Sequence, residues 1–442
     1  MSWAPRVAHA RRPWWDALRR VPLFFCALLA ATGALAGDWR EADIRQSRTE
    51  ARACAIDGDP GSLVRSDLVL AVLAGGQDLR LLEAGSLTPR ARCQLPQALQ
   101  GTPLRSPDGR YLYLATDAGW LLRIDLQQVA GPALQVRTGL QLTGLALSAD
   151  GQWLLAGHAE PHDLVLLDAQ LAPVRLYRTA TLDGRRSSAV SGVWHAPARK
   201  SFLVGLRELP EIWELSYNPA AAPIYDGLVH DYRMAEAIAS AGFLGVRRTP
   251  LEQAVQIVRG DATLRHLLVI PAARTDPALD VINMDIRRRT VSRRLPAWPL
   301  ASGAAFDNGK RDWLALLTRD EGAVLLLDSQ TWQLHPELLP PLRDVVAIRA
   351  HPAAPHLWLQ HARGDRLTLL DTADLRPGTP LRAPGTPWVD LAFTAGGRQV
   401  VLATAGAQGD LSVRDSRTLQ ELQRVPLPQV QAVYGLDAPD AP

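Results

Sequence analysis

Lysine is nearly missing from this 442-residue chain, with Lys200 and Lys310 its only lysines, so arginine carries the positive charge. Removing the first 36 residues takes away five arginines and one acid. The formal charge then falls from +3 to about −1, with 43 basic against 44 acidic residues. The remainder has no basic excess, which excludes a nucleic-acid protein held through phosphate contacts. Cysteine is as scarce: Cys26, Cys54 and Cys93 make up the set. No C-x-x-C-H occurs, so no c-type haem is attached. C-x-x-C, H-E-x-x-H, Walker A and G-x-S-x-G patterns are also missing, which removes the usual signatures of hydrolase and nucleotide chemistry. Beyond residue 36 no segment approaches 18 uninterrupted apolar residues, so a helical integral membrane protein is not expected.

The leader is present instead of a span. Arg11, Arg12, Arg19 and Arg20 form a basic region, Pro22 to Leu35 an apolar stretch, and Ala34-Leu35-Ala36 a small-residue cleavage site before Gly37. Residues 1–36 therefore read as a signal peptide, and the expected location is the periplasm. In such an oxidising compartment Cys54 and Cys93 could pair, but spacing alone leaves that open. At 47% hydrophobic the chain can bury a large core, which excludes disorder for its bulk.

The chain is periodic. Short β-rich runs end in an acidic residue at Glu83, Asp125, Asp168, Glu214, Asp285, Asp328, Asp371 and Asp415. Successive anchors lie 42 to 46 residues apart, except for one interval of 71. That repeat is the length of a four-stranded propeller blade, and the long interval leaves roughly 28 inserted residues. Eight anchors predict an all-β, eight-bladed β-propeller over residues 68–436, with a helical insertion after the fourth blade repeat, about 217–253. Residues 37–67 are expected to help close the last blade, and 437–442 to form a tail. The chain's two ends must share one blade, because an open ring edge would leave strand donors and acceptors unpaired.

Within the repeats, Ser106-Pro107-Asp108-Gly109 and Ser148-Ala149-Asp150-Gly151 are turn tetrapeptides, each followed by an apolar strand. The terminal acids read as turn formers that bond their own backbone. Trp120, Trp153, Trp313 and Trp358 fall in matching strands and read as packing between blades.

These segments also carry a resemblance. SPDGRYLYLATDAGWLLRIDL resembles the haem-d1 domain of cytochrome cd1-type nitrite reductase and its relatives NirF and NirN. GVWHAPARKSFLVGLRELPEIWELSY is similar to that family's fourth-blade segment, and HDYRMAEAIASAGFLGVRRTPLE, His230 to Glu252, to an insertion of its NirF-like and NirN-like members. LPAWPLASGAAF and GTPWVDLAFTAGGRQVVLAT follow its sixth and eighth blades. The likeness spans Leu68 to Leu436 and implies a NirF-like periplasmic protein that binds haem d1 or a precursor during haem d1 biosynthesis. Other maturation proteins or nitrite reductase are the implied protein partners. The alternative is a degenerate propeller that acts as a binding or scaffold protein without haem ligation.

The resemblance implies axial histidines at two places, and this sequence has neither. Gln100 stands near the second-blade position, and Leu300 follows Trp298-Pro299 where the family has Pro-His in the sixth blade. Amide and alkyl groups are poor iron ligands where imidazole is a good one. The insertion offers arginines for the ring's carboxylates, which guanidinium groups match bidentately. Arg233, Arg247 and Arg248 are thus the expected cofactor contacts, with Gln100 and Tyr434 lining the site. His230 is the candidate for an acid/base or ligand role. No metal site of the chain's own is expected: His351, His356 and His361 are spaced by five, and His158 and His162 lack a third ligand.

Overall fold

The turn before each second strand shows how local sequence starts the fold. Ser106 Oγ accepts the N–H of Tyr111 at 2.8 Å, Asp108 Oδ1 accepts that of Arg110 at 3.0 Å, and Gly109 takes φ +74°. Blade three repeats this: Ser148 Oγ accepts Trp153 N–H at 2.9 Å, Asp150 Oδ1 accepts Gln152 N–H at 3.0 Å, and Gly151 sits at φ +68°. Side-chain oxygens serve backbone donors that the reversal leaves over, and glycine takes the left-handed position without a Cβ penalty.

The computed structural model describes residues 39–58, 61–225 and 239–437, apart from 262, 308, 320–321, 336–343, 384 and 395. Its strands form eight antiparallel sheets, successive in sequence, as the acidic anchors require. First strands of neighbouring sheets lie against one another, which makes them the inner strands of an eight-bladed ring. Both ends of the described chain enter one sheet. Val430–Leu436 is its inner strand, paired with Leu68–Leu73, and Cys54–Ile56 adds its outer edge. Thr49–Ala51 does the same on blade two. Cys54 and Cys93 face each other across that outer edge, Cα atoms 4.0 Å apart, and are joined as a disulfide.

Five of the acidic anchors, Asp125, Asp168, Asp328, Asp371 and Asp415, end third strands and act as turn formers, whereas Glu214 lies within its strand on Arg199 and Asn283 takes the turn role before Asp285. Asp168 Oδ1 accepts the N–H groups of Gln170 and Ala172, each at 2.8 Å, and Asp415 Oδ1 those of Arg417 and Thr418. Several also pair with an arginine that opens the second strand of the same blade: Arg110 with Asp125 at 2.8 Å, Arg311 with Asp328 at 2.9 Å.

The helical insertion expected over about 217–253 finds no support in the described residues, and its middle, 226–238, lies outside them. Among the described residues the one α-helix is Glu41–Ser47, well before the insertion. Residues 217–225 and 239–245 form turns and a short antiparallel bridge between Ile224 and Ser240. Pro223 has no N–H and clashes with the carbonyl four residues back, so the Ala220–Ala222 run after Pro219 does not continue as a helix. The inserted chain leaves the third strand of blade four, Glu211–Ser216, and returns as its fourth, Val246–Pro250.

There is no central core. Buried apolar residues form eight separate clusters, one between each pair of neighbouring blades. A sheet packed on both faces needs apolar residues at successive positions, as in Ser201–Leu206, where all six are buried. Trp313 and Trp358 belong to two of these layers, and Trp120 and Trp153 pack on two others.

Candidate functional site

In each blade the inner strand begins, and the second strand ends, at the same face of the ring. On that face, where blades four, five and six meet, lies a cleft of about 710 Å³, within the range of small-molecule sites. Its walls include Ser191 and Trp194 of blade four, Gln256 and Ile257 of blade five, and Trp298 and Ala301 of blade six. Arg207, Arg274 and Arg319 complete it. Each comes from the loop joining the second to the third strand of its own blade, so one equivalent loop in three successive blades delivers one guanidinium.

Two of the three arginines are uncommitted. Arg207 and Arg319 use only their backbone N–H groups, toward Ala189 O at 3.0 Å and Trp298 O at 2.8 Å. Both are exposed, and no described residue bonds or pairs with either guanidinium. Arg274 is held, with Nη2 on Ser292 Oγ at 2.9 Å and near Asp280 at 3.6 Å. Trp194 owes its position to a glycine pair. Gly192 and Gly205 are partners across the first two strands of blade four. A Cβ on Gly192 would lie 2.6 Å from Trp194 Cη2, and one on Gly205 would lie 2.5 Å from Ser191 Oγ and 3.3 Å from Trp194 Cζ3. The bare backbone is what lets the indole lie down beside the cleft.

Further along the inner strand of blade five, Arg259 reaches blade six and donates to Gly303 O at 2.6 Å. Burial lowers its pKa, and its Nε lacks an acceptor. It is a desolvated cation on the strand that also carries Gln256 and Ile257 of the cleft wall, and a buried cation favours a neighbouring anion.

The residues expected from sequence lie apart. Gln100 is exposed on the cleft's face but on blade two, its N–H on Ala115 O at 2.8 Å. Leu300 turns into the layer between blades six and seven. Tyr434 lies opposite Leu70 on the inner strand of blade one, and burial pushes its phenol up. Near it Asp390 Oδ2 accepts Val433 N–H at 3.0 Å and Asp390 Oδ1 meets Arg349 at 3.3 Å, linking inner strands of blades seven, eight and one. Arg247 and Arg248 occupy the outermost strand of blade four. Arg248 stacks 4.5 Å over Trp213 and bonds Ala180 O at 2.8 Å and Glu211 at 3.2 Å. Arg247 Nη2 donates to Ala222 O at 2.9 Å beside a second cleft of about 250 Å³ at the root of the insertion. His230 and Arg233 lie outside the described residues.

Sequence reasoning missed Arg207, Arg274, Arg319 and Trp194. A signal existed: Arg207 and Arg319 each follow directly on a second strand, and Arg207 lies in the segment that carries the fourth-blade resemblance.

The closed propeller's cleft presents three guanidinium groups and two indoles, a lining whose chemistry matches a flat, multiply anionic molecule. The chain belongs to the Cytochrome D1 heme domain family, whose profile matches residues 64–435. It is 29% identical over 417 residues to the dihydro-heme d1 dehydrogenase of Pseudomonas aeruginosa, covering 90% of this chain and 77% of that protein. Among solved structures it is similar to dihydro-heme d1 dehydrogenase NirN in complex with DHE, with a TM-score of 0.73 and 28% identity over 90% of this chain and 82% of that one. Apo AztD from Citrobacter koseri shares the fold alone, at a TM-score of 0.51 and 11% identity over 84% of this chain and 98% of that one.

Proposed function

We propose that this chain is a NirF-like periplasmic protein that binds a d1-type tetrapyrrole or its precursor in the cleft of blades four to six, during haem d1 biosynthesis. The observation that carries the reading is the set of three equivalent loops that deliver Arg207, Arg274 and Arg319, two of whose guanidinium groups have no partner among the described residues. The relative NirN, seen in complex with DHE, and the family itself support it.

The residues present fit the organic part of such a ligand. Guanidinium forks match its carboxylates, and the indoles of Trp194 and Trp298 offer faces to a flat ring. Ser191 and Gln256 can hydrogen-bond its edge. A d1-type ring, when bound, supplies an extended conjugated system and, if metallated, an iron centre. The protein's part is to orient the ring by its carboxylates and to shield one edge from water.

Spectral titration with haem d1 and with a demetallated analogue tests the assignment. Arg207→Ala with Arg319→Ala should weaken binding about 5- to 30-fold, since each partly exposed contact contributes about 0.5–1 kcal/mol. Arg247→Ala with Arg248→Ala should change it by less than about threefold. If that second pair has the larger effect, the site lies beside the insertion with His230 and Arg233. If no ring binds the wild-type protein, the scaffold role replaces this one.

A further inference from the structure

We infer that the cleft reads the macrocycle and not its metal, so that metal-free and metal-bearing polycarboxylate tetrapyrroles are bound alike. The inference rests on the cleft being the tetrapyrrole site.

The donor set decides the matter. Every polar side chain lining the cleft is a guanidinium, the Ser191 hydroxyl, the Gln256 amide or an indole. A guanidinium stays protonated and has no lone pair to give, and an indole N–H donates only. Tetrapyrrole iron is held axially by imidazole, thiolate, thioether or phenolate groups, and among the described residues none of these lines the cleft.

Nearby histidines are engaged elsewhere. His195 shares the inner strand with Trp194, but its Nε2 meets Tyr217 Oη at 2.7 Å at the strand's far end. His162, in the loop between second and third strands of blade three, has Nδ1 on Ser187 Oγ at 2.8 Å. The contacts the cleft does offer are carboxylate pairing at the ring's edge and stacking on its face. Neither depends on what the four ring nitrogens hold. The same arginines and indoles would hold an iron-bearing ring and a metal-free ring by the same contacts.

The test titrates the full protein with coproporphyrin as the free base, the zinc complex and the iron(III) complex. Quenching of tryptophan fluorescence and the Soret band give the affinities. The three dissociation constants should agree within about threefold, and the iron form should show no imidazole-ligated, low-spin spectrum. Arg207→Gln with Arg319→Gln, checked for folding by circular dichroism and melting, should weaken all three forms by the same factor. The tetramethyl ester of the free base should bind at least about tenfold more weakly than the acid. The inference is overturned if the iron form binds more than about tenfold tighter with a low-spin spectrum that His162→Ala or His230→Ala abolishes; tetrapyrrole binding itself would then stand. It is equally overturned if metal forms are excluded while the free base binds. Failure of every form to bind removes the inference and the proposed function together.

Discussion

Arg259 of blade five donates to the Gly303 carbonyl of blade six at 2.6 Å, yet its buried Nε has no acceptor. One hydrogen bond to a carbonyl does not offset the desolvation of a guanidinium, and an anionic ligand would. Arg259→Met should therefore leave the ligand-free protein within about 1 kcal/mol of wild type. The same change should reduce the stabilisation that a carboxylate ring gives. Urea denaturation with and without ligand measures both, and a loss above about 3 kcal/mol in the free protein would show that Arg259 is a structural tie.

The Cys54–Cys93 bond closes a loop with a sequence separation of 39 on the outer edge of blade one. Such a loop contributes about 2–4 kcal/mol by restricting the unfolded chain. Cys54→Ser with Cys93→Ser should lower the denaturation midpoint accordingly, and reductant should do the same to wild type. Ring affinity should not change, because the bond and the cleft belong to different blades.

His158 is fully buried, with Nδ1 2.9 Å from Asp163 Oδ1 and Nε2 2.9 Å from Thr138 Oγ1. Both nitrogens are held, so the ring cannot move aside. A Cβ on Gly139 would lie 2.4 Å from His158 Cδ2. Asp163→Ala leaves a buried donor without an acceptor and should cost about 2–4 kcal/mol. Gly139→Ala should be of similar size through overpacking, about 1–3 kcal/mol. Urea midpoints of the two variants check this, and wild-type-like values would show that the network relaxes freely.

Acid should destabilise the protein in two steps. Burial lowers the pKa of His195 and His351 from their ordinary 6.5, and for His351 neighbouring His356 and Arg417 lower it further. His351 Nδ1 also accepts Ala353 N–H at 3.0 Å, which protonation would break. The unfolded chain therefore binds more protons just below pH 6.5, so stability is complete above that value and is lost as pH falls through the folded pKa values. After allowance for solvent screening the loss is less than about 1 kcal/mol per histidine. His195→Gln and His351→Gln should flatten the stability profile between about pH 7 and pH 5. Asp415 is held below its usual value by the backbone and side chain of Thr418, and Glu421 by Arg424. These add a second loss in the carboxylate range, below about pH 4.

The ring was legible in the chain because one turn chemistry recurs. Asp168 and Asp415 bond their own backbones, and Asp125, Asp328 and Asp371 repeat that local habit in three further blades. The insertion's position was legible from the long interval, and its described ends, 217–225 and 239–245, are turns and a bridge where a helix was expected. The cleft was hardest to see. Arg207, Arg274 and Arg319 lie far apart in sequence, and only the rotation from blade to blade brings them to one place. Arg248 shows the reverse error, since an arginine in a suggestive motif spends its charge on Glu211 and its plane on Trp213.

The first blade is the last to be finished. Leu68–Leu73 waits for Val430–Leu436, so a chain emerging from synthesis carries an open inner edge until that late strand is available. Seven blades can stack in order while the ring stays a horseshoe with two apolar faces in water. Loss of the final strand would therefore not trim a terminus; it would reopen the circle and expose the layers on both sides of blade one at once.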